Sequence, residues 1–343
     1  MNVMKNMVEY GHEKVLFVNN KEAGLKAIIA VHNTNLGPAI GGCRLWPYES
    51  EEDALFDVLR LSRGMSHKNA AAGLKFGGGK AVIIADPKDK TEEMFEAFAE
   101  AVNSLGGCYI TSEDVNTSCD DALVMQRKTN YLCGLPAVSG DPSPFTAIGV
   151  WQGIKATAKV LFGTDDLKGR SVAVQGLGKV GYALCKHLYD EGAKLYVSNL
   201  HKQDVLQKAV EEFQATPVDA DMILSQECDI LAPCALGAVV NPNTIPNLKC
   251  KAIAGAANNV LLDEKSGEML KEKGILYAPD FIINAGGVIN AAGEAAGAYD
   301  KEEVLKKVYN IYNTVEHILK LSKETGKPEG VLATEYAESI MNG

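Results

Sequence analysis

Two periods alternate along the chain: short apolar runs rich in β-branched residues, and longer stretches in which apolar positions recur at helical spacing. The runs KVLFVNN (14–20) and LKAIIAVHN (25–33), joined by a short glycine-containing turn, predict a β-hairpin. Ser50 and Asp53 form a capping-box pattern ahead of apolar positions 54, 55, 58, 61 and 65, which predicts a helix with Lys68 at its C-terminal end. Glycines 77, 78 and 79 predict a turn that enters the strand AVIIA (81–85), with Lys80 at the junction. Apolar positions 94, 95, 98, 102 and 105 predict another helix, stopped by Gly106 and Gly107 before the strand-like CYIT (108–111). Asp114 falls just past that strand.

From residue 136 the text turns rich in Pro, Gly and Ser (VSGDPSPFT), as expected of a connection between domains, and a helix is expected from about Thr146. Strand and helix signals then alternate: RSVAVQG, a helix after Gly178, KLYVSN, a helix from Asp204, DILAPC, KAIAGA and ILYAP. Alternation of this kind predicts an α/β domain with a doubly wound parallel sheet. Positions 304, 308, 311, 312, 315, 318 and 319 predict one long amphipathic helix over 301–321, leading back to the first domain. The expected division is an N-terminal α/β domain over 1–137, joined by a C-terminal helix over 322–343, and a second domain over 138–321.

Composition narrows the function. The 343 residues are 46% apolar and 23% charged with a net charge of −10, and no basic cluster is present, which argues against a nucleic-acid partner. No run approaches the length that spans a bilayer, and MNVMKNMVEYGHEK lacks the apolar core of a secretion signal, so a cytoplasmic protein without a membrane partner is expected. The eight cysteines are scattered without C-x-x-C spacing, which indicates small buried residues rather than disulfides or a metal site.

GLGKVG, residues 176–181, follows the apolar run SVAVQ and precedes a helical pattern, the context that a dinucleotide-binding turn requires. Gly176 suits the tight turn, Gly178 the approach of a pyrophosphate, and Gly181 close helix packing, with Leu177, Lys179 and Val180 presenting backbone N–H groups between them. Asn199 stands where an acidic residue would bind the ribose 2′-hydroxyl of NAD. A neutral Asn can still bond the hydroxyls, so NAD is expected; it does not repel a 2′-phosphate and the adjacent Lys202 could attract one, so NADP is the alternative.

Lys68 and Lys80 flank an almost uncharged segment. An ammonium there loses hydration, which favours its neutral form and fits it for proton exchange near neutral pH. A solvated surface lysine, a cation closing a helix C-terminus and an aspartate forming a turn are the plain alternatives for Lys80, Lys68 and Asp114.

Taken in order, GPAIGGCRLWPY (37–48), RGMSHKNAAAGLKFGGGKAVI (63–83), TSEDVN (111–116), DPSPFTAIGV (141–150), AVQGLGKVG (173–181), APCALGAVVN (232–241), AGAANN (254–259) and YAPDFIINAGGVIN (277–290) resemble the glutamate/leucine/phenylalanine/valine dehydrogenase family. The resemblance implies a substrate and oligomerisation domain followed by a Rossmann domain, and oxidative deamination of an L-amino acid to a 2-oxo acid and ammonia with hydride transfer to NAD(P). It also implies that Lys80 activates water, Asp114 exchanges protons with the amine, Lys68 pairs with the substrate α-carboxylate and Asn258 binds substrate. Thr146, Cys234 and Ala235 match cofactor-contacting positions.

Ile40, beside Gly41, matches a lysine that binds the side-chain carboxylate in the glutamate branch, so glutamate is disfavoured. The other specificity positions by resemblance are Ser112, Val288 and Ala291, lining a mostly apolar pocket. The segments around Lys75 and Pro142 look closer to the leucine enzymes. Ala291 stands where those usually have valine, which enlarges the pocket and makes a bulkier substrate such as phenylalanine or methionine an alternative. The leucine enzymes also continue into a basic tail beyond the position of Gly343, so a homo-oligomer smaller than theirs, such as a dimer, is expected. A non-catalytic nucleotide and amino-acid binder, or an enzyme that couples an aromatic 2-oxo acid, are the competing readings.

Overall fold

A short helix α1 (Val3–Tyr10) precedes the expected hairpin, in which β1 (Lys14–Asn20) pairs antiparallel with β2 (Leu25–Asn33). The computed structural model describes residues 3–235 and 237–343. The chain continues through β3 (Ala39–Ile40), β4 (Cys43–Trp46), α2 (Glu51–Ala71), β5 (Gly77–Ile84), α3 (Glu92–Ser104), β6 (Tyr109–Ile110) and α4 (Cys119–Met125). Their mixed sheet runs β1-β2-β5-β3-β6, with β4 also on β5. β2 and β5 are buried on both faces because helices cover each side. Odd-numbered Ile29, Ala81 and Ile83 pack with Phe95 and Phe98 of α3, and even-numbered Ile28, Ala30 and Val82 pack with Leu55, Val58 and Leu59 of α2.

Ser50 caps α2 by accepting from the Asp53 N–H, as its position predicts, although the Asp53 carboxylate takes the Ser50 hydroxyl rather than its backbone N–H. The glycines before Lys80 correct the expected turn: β5 begins at Gly77, so all three lie inside the strand. Their role is close approach, since a Cβ on Gly78 would lie 2.1 Å from the Ser66 nitrogen of α2. Small residues let helix and strand backbones touch, and this seats Lys80 on the α2 face of the sheet.

The rest of the chain comprises α5 (Ser143–Phe162), β7 (Ser171–Gln175), α6 (Lys179–Asp190), β8 (Lys194–Ser198), α7 (Gln203–Phe213), β9 (Thr216–Pro217), β10 (Cys228–Pro233), β11 (Cys250–Ile253), α8 (Glu264–Lys273), β12 (Leu276–Tyr277), α9 (Asp280–Ile283), α10 (Gly286–Ala295), α11 (Lys301–Tyr309), α12 (Ile311–Thr325) and α13 (Glu329–Asn342). The sheet here runs β12-β11-β10-β7-β8-β9 with every pairing parallel, the doubly wound arrangement expected. The single helix expected over 301–321 is two, α11 and α12, meeting at Asn310.

The chain divides into two compact units. One holds residues up to Asp141 with Val288–Lys301 and Ala337–Gly343; the other holds Pro142–Gly287 and Glu302–Tyr336. Residues 288–301 therefore belong with the N-terminal unit, against the expected division, because Glu294 accepts from the N–H groups of Gly134 and Leu135 and from the Ser139 hydroxyl. Of the C-terminal stretch expected to join it, only 337–343 does so.

Candidate active site

In the N-terminal unit, β3 and β4 are one line of chain broken at Gly41–Gly42, opposite Lys80 of β5. A Cβ on Gly42 would lie 2.4 Å from the Glu113 carbonyl and 2.9 Å from Asp114 Cβ, so glycine there lets the segment after β6 pass against the break. That segment is stitched to β4: the Cys43 N–H donates to Ser112 O, the Leu45 N–H to Val115 O, and the Thr117 hydroxyl to Cys43 O while accepting from the Asp114 N–H.

These bonds bring Asp114 to Lys80, whose Nζ lies 2.8 Å from Asp114 Oδ1 with only 6% of the lysine side chain exposed. The near-uncharged surroundings expected for Lys80 are corrected here, because a carboxylate touches it. The second oxygen of Asp114 is 3.1 Å from Arg44 Nε. Burial alone would push the Asp114 carboxyl up, but the Lys80 and Arg44 charges outweigh it and hold the group well below the usual carboxylate range. Arg44 in turn reaches Asp57 of α2 at 2.8 Å, and Asp57 accepts from the Tyr48 hydroxyl and Arg60. Sequence reasoning passed over Arg44, Tyr48 and Asp57. The signal was a lone arginine inside the apolar strand CRLW, on the face opposite the buried Cys43 and Leu45.

Lys68 sits half-buried in the last turn of α2, whose Ser66 covers Gly78. Lys75 is exposed. Ile40 is 1% exposed, packed between β5 and β6, and the Gly41 N–H and carbonyl are engaged by Ile110 O and the Tyr109 hydroxyl. Ser112 is half-buried, and its hydroxyl faces Gly134 and Cys133. Val288 and Ala291 are half-buried on α10, whose Asn290 and Glu294 hold the segment 134–139.

In the other unit, the strand order progresses outward in opposite directions from between the parallel neighbours β7 and β10, and the turns after these two strands lie together. Gly176 has φ +93°, and a Cβ there would lie 2.7 Å from Ala235 Cβ. A Cβ on Gly181 would meet the Gly176 carbonyl at 2.0 Å and Cys234 Cβ at 3.3 Å, whereas one on Gly178 would meet nothing within 4 Å. The turn is thus packed at both ends and open in the middle. No side chain caps α6, so the N–H groups at its N-terminus, through Lys179 and Val180, point toward that opening. These features fit a dinucleotide pyrophosphate.

Asn199 directly follows β8, where its Oδ1 accepts from the Leu177 N–H at 3.4 Å and its Nδ2 donates to Lys202 O at 3.0 Å. Thr146 lies in the first turn of α5, with Oγ1 2.8 Å from where a Gly287 Cβ would stand. Asn258 is exposed in the loop after β11 and accepts from Asn284 Nδ2 at 2.8 Å. Among the described residues no group of His, Cys, Asp and Glu could hold a metal ion, and no helix is long and apolar enough to cross a membrane.

A parallel sheet with an open glycine turn at its reversal point, and a buried lysine–carboxylate pair in a separate unit, describe a nucleotide-dependent enzyme with proton-handling groups. Residues 12–131 match the Glu/Leu/Phe/Val dehydrogenase dimerisation domain and residues 195–338 the Glutamate/Leucine/Phenylalanine/Valine dehydrogenase domain, and the chain belongs to this family. It is 54% identical to leucine dehydrogenase of Bacillus subtilis, over 98% of this chain and 93% of that protein. It is 47% identical to L-tryptophan dehydrogenase of Nostoc punctiforme, over 98% and 96%. The crystal structure of the Nostoc punctiforme L-tryptophan dehydrogenase superposes with a TM-score of 0.88 at 45% identity, covering 99% of this chain and 98% of that one. The protein is an NAD(P)-dependent amino acid dehydrogenase acting on apolar amino acids.

Proposed function

We propose that the protein catalyses reversible oxidative deamination of a branched-chain L-amino acid, leucine, isoleucine or valine, using NAD. The observation that carries this reading is the buried Lys80–Asp114 pair in a unit whose Ile40 offers no cation to a second substrate carboxylate. The high identity to leucine dehydrogenases over nearly the whole chain supports the branched-chain class. The alanine at 291, where by resemblance the leucine enzymes usually have valine, and the identity to L-tryptophan dehydrogenase favour a second reading, a bulky apolar substrate such as phenylalanine. Asn199 already bonded to backbone, with no cation on its own side chain, supports NAD over NADP. A homo-oligomer, with a dimer as its smallest form, is part of the same reading.

Lys68 holds the substrate α-carboxylate, which fixes the amino acid in one orientation. Asp114 begins as a carboxylate, held so by Lys80 and Arg44, and takes a proton from the substrate ammonium. The turn of Gly176, Gly178 and Gly181 would hold NAD, which when bound would supply the acceptor for the substrate Cα hydride; the substrate is thereby oxidised to an imine. Lys80, acting as the neutral amine, then takes a proton from a water as the water oxygen adds to the imine carbon. Asp114 returns a proton to the nitrogen, which leaves as ammonia, and takes up the carbinol hydroxyl proton as the carbonyl forms, after which Asp114 and Lys80 release their protons to solvent. The Ser112, Val288 and Ala291 side chains contact the rest of the substrate.

Lys80→Ala should cost at least about 10²-fold in kcat, the lower end for loss of a proton-handling group, and leave NADH affinity near that of the wild type. A panel of L-amino acids assayed with NAD and with NADP tests the substrate and cofactor together. Turnover at the wild-type rate in Lys80→Ala, or glutamate as the best substrate, would overturn the reading.

A further inference from the structure

We propose that Arg44 is a positioning residue for the deamination, holding the Asp114 carboxyl in place before and between its two proton transfers, while Lys80 is engaged with water. The inference rests on the assignment of Asp114 as the group that exchanges a proton with the substrate amine. Both Asp114 oxygens have a cationic partner: Lys80 Nζ at 2.8 Å on Oδ1 and Arg44 Nε at 3.1 Å on Oδ2. In the proposed sequence Lys80 has a second task at the water, so it cannot by itself keep Asp114 placed through the cycle, first as a buried carboxylate and then as the protonated carboxyl that must return its proton. An unpaired buried charge is strongly unfavourable, so a second, stationary cation keeps Asp114 ionised at the start of the cycle and its second oxygen oriented throughout.

Arg44 is built to be stationary. Its Nη1 is 2.8 Å from Asp57 Oδ2, and that oxygen also accepts from the Tyr48 hydroxyl at 2.7 Å while the other accepts from Arg60 at 3.0 Å. A planar guanidinium can bridge two carboxylates in a way that a point-charge ammonium cannot. The remaining titratable neighbours of this cluster are the buried Cys43 of β4 and Tyr109 of β6, both pushed up by burial, and Asp121 of α4. Neither the thiol nor the phenol supplies charge near neutral pH, so Arg44 is the cation that remains when Lys80 moves.

The test is the pH dependence of kcat and kcat/KM for Arg44→Met, Arg44→Lys and Asp114→Asn. In Arg44→Met the low-pH limb should move up by about 1–3 pH units, the effect of removing an adjacent opposite charge. Its kcat should fall about 10²-fold, with KM for NAD near wild type. Arg44→Lys, which keeps the charge but loses the fork, should restore the limb and recover kcat only in part. Arg44→Met with the wild-type limb and kcat, beside an inactive Asp114→Asn, would overturn the role of Arg44 and leave the assignment of Asp114 standing. Wild-type turnover in Asp114→Asn would instead remove that assignment and the inference with it. If Arg44→Met does not fold, Arg44→Lys decides: wild-type kcat there overturns the proposal, and reduced kcat with an unmoved limb supports it.

Discussion

One absent methyl group fixes where Lys80 stands. A Cβ on Gly78 would lie 2.1 Å from the nitrogen and 2.5 Å from the Cα of Ser66, and backbone atoms cannot swing aside as a side chain can. Gly78→Ala must push α2 off β5, and a loss of about 1–3 kcal/mol or more is expected, read from the denaturant midpoint. Gly178 is the contrast, because a Cβ there meets nothing within 4 Å. Gly178→Ala should change stability by no more than about 1 kcal/mol, the scale of an N-cap substitution, yet weaken NADH binding by filling the space kept for a pyrophosphate. Titration of NADH fluorescence checks this; unchanged affinity would mean the cofactor does not approach there. The two glycines also mark the limit of what was legible at this scale. Gly178 sits in a spaced motif between a strand and a helix, so its use could be read locally. Gly78 was read as a turn former, because the atom it must avoid lies on a different element.

Periodicity located elements well where a segment buries one face and poorly where a helix is interrupted. The apolar positions 304, 308, 311, 315, 318 and 319 are all buried, as one amphipathic helix would have them, yet the chain makes two helices. At the joint, Asn310 keeps helical dihedrals of φ −67° and ψ −12°, but its carbonyl accepts from the Asn313 N–H at 3.0 Å, a tighter turn than the α-helix makes. Asn310 and Asn313 also bond through their side-chain amides. Local polar competition of this kind leaves no trace in the hydrophobic pattern. Since the backbone is already helical there, Asn310→Ala should stabilise the protein by up to about 0.7 kcal/mol, measured by thermal unfolding. Destabilisation would show instead that the amide pair holds the joint. The same blindness hid the site's supporting residues. Strand alternation marks Arg44 as facing away from Cys43 and Leu45, but the helix residue that meets it, Asp57, comes from a different element.

At the scale of the whole molecule, acid should affect the two units differently. In the N-terminal unit His12, His32 and His67 lie together, with ring centroids 4.9 and 6.4 Å apart. Burial lowers each from 6.5 to about 4, and mutual repulsion and the Arg63 charge add to the shift. A histidine with a depressed folded pKa keeps the native state favoured above pH 6.5. That advantage is lost as pH falls toward 4, because the unfolded chain binds the proton first, at about 1.4 kcal/mol per pH unit for each group. Asp114, whose carboxyl is also depressed, adds to the loss only below its unfolded range near pH 3.9. The other unit has one histidine lowered by burial, His187, and its buried Glu329 carboxyl is raised, chiefly by burial, so protonation of Glu329 as pH falls favours the folded form and offsets part of that loss. The chain carries one tryptophan in each unit, Trp46 and Trp151. Trp151→Phe leaves Trp46 to report the histidine-bearing unit, and Trp46→Phe leaves Trp151 to report the other. Thermal unfolding followed by fluorescence between about pH 7 and 4.5 should show the Trp46 midpoint falling faster than the Trp151 midpoint. Replacing His67 with Gln removes one of the three protons, so the pH dependence of the Trp46 transition should become shallower by about a third. Midpoints that fall in parallel at every pH, with no change in slope for His67→Gln, would show that the buried imidazoles do not set the acid limit of this enzyme.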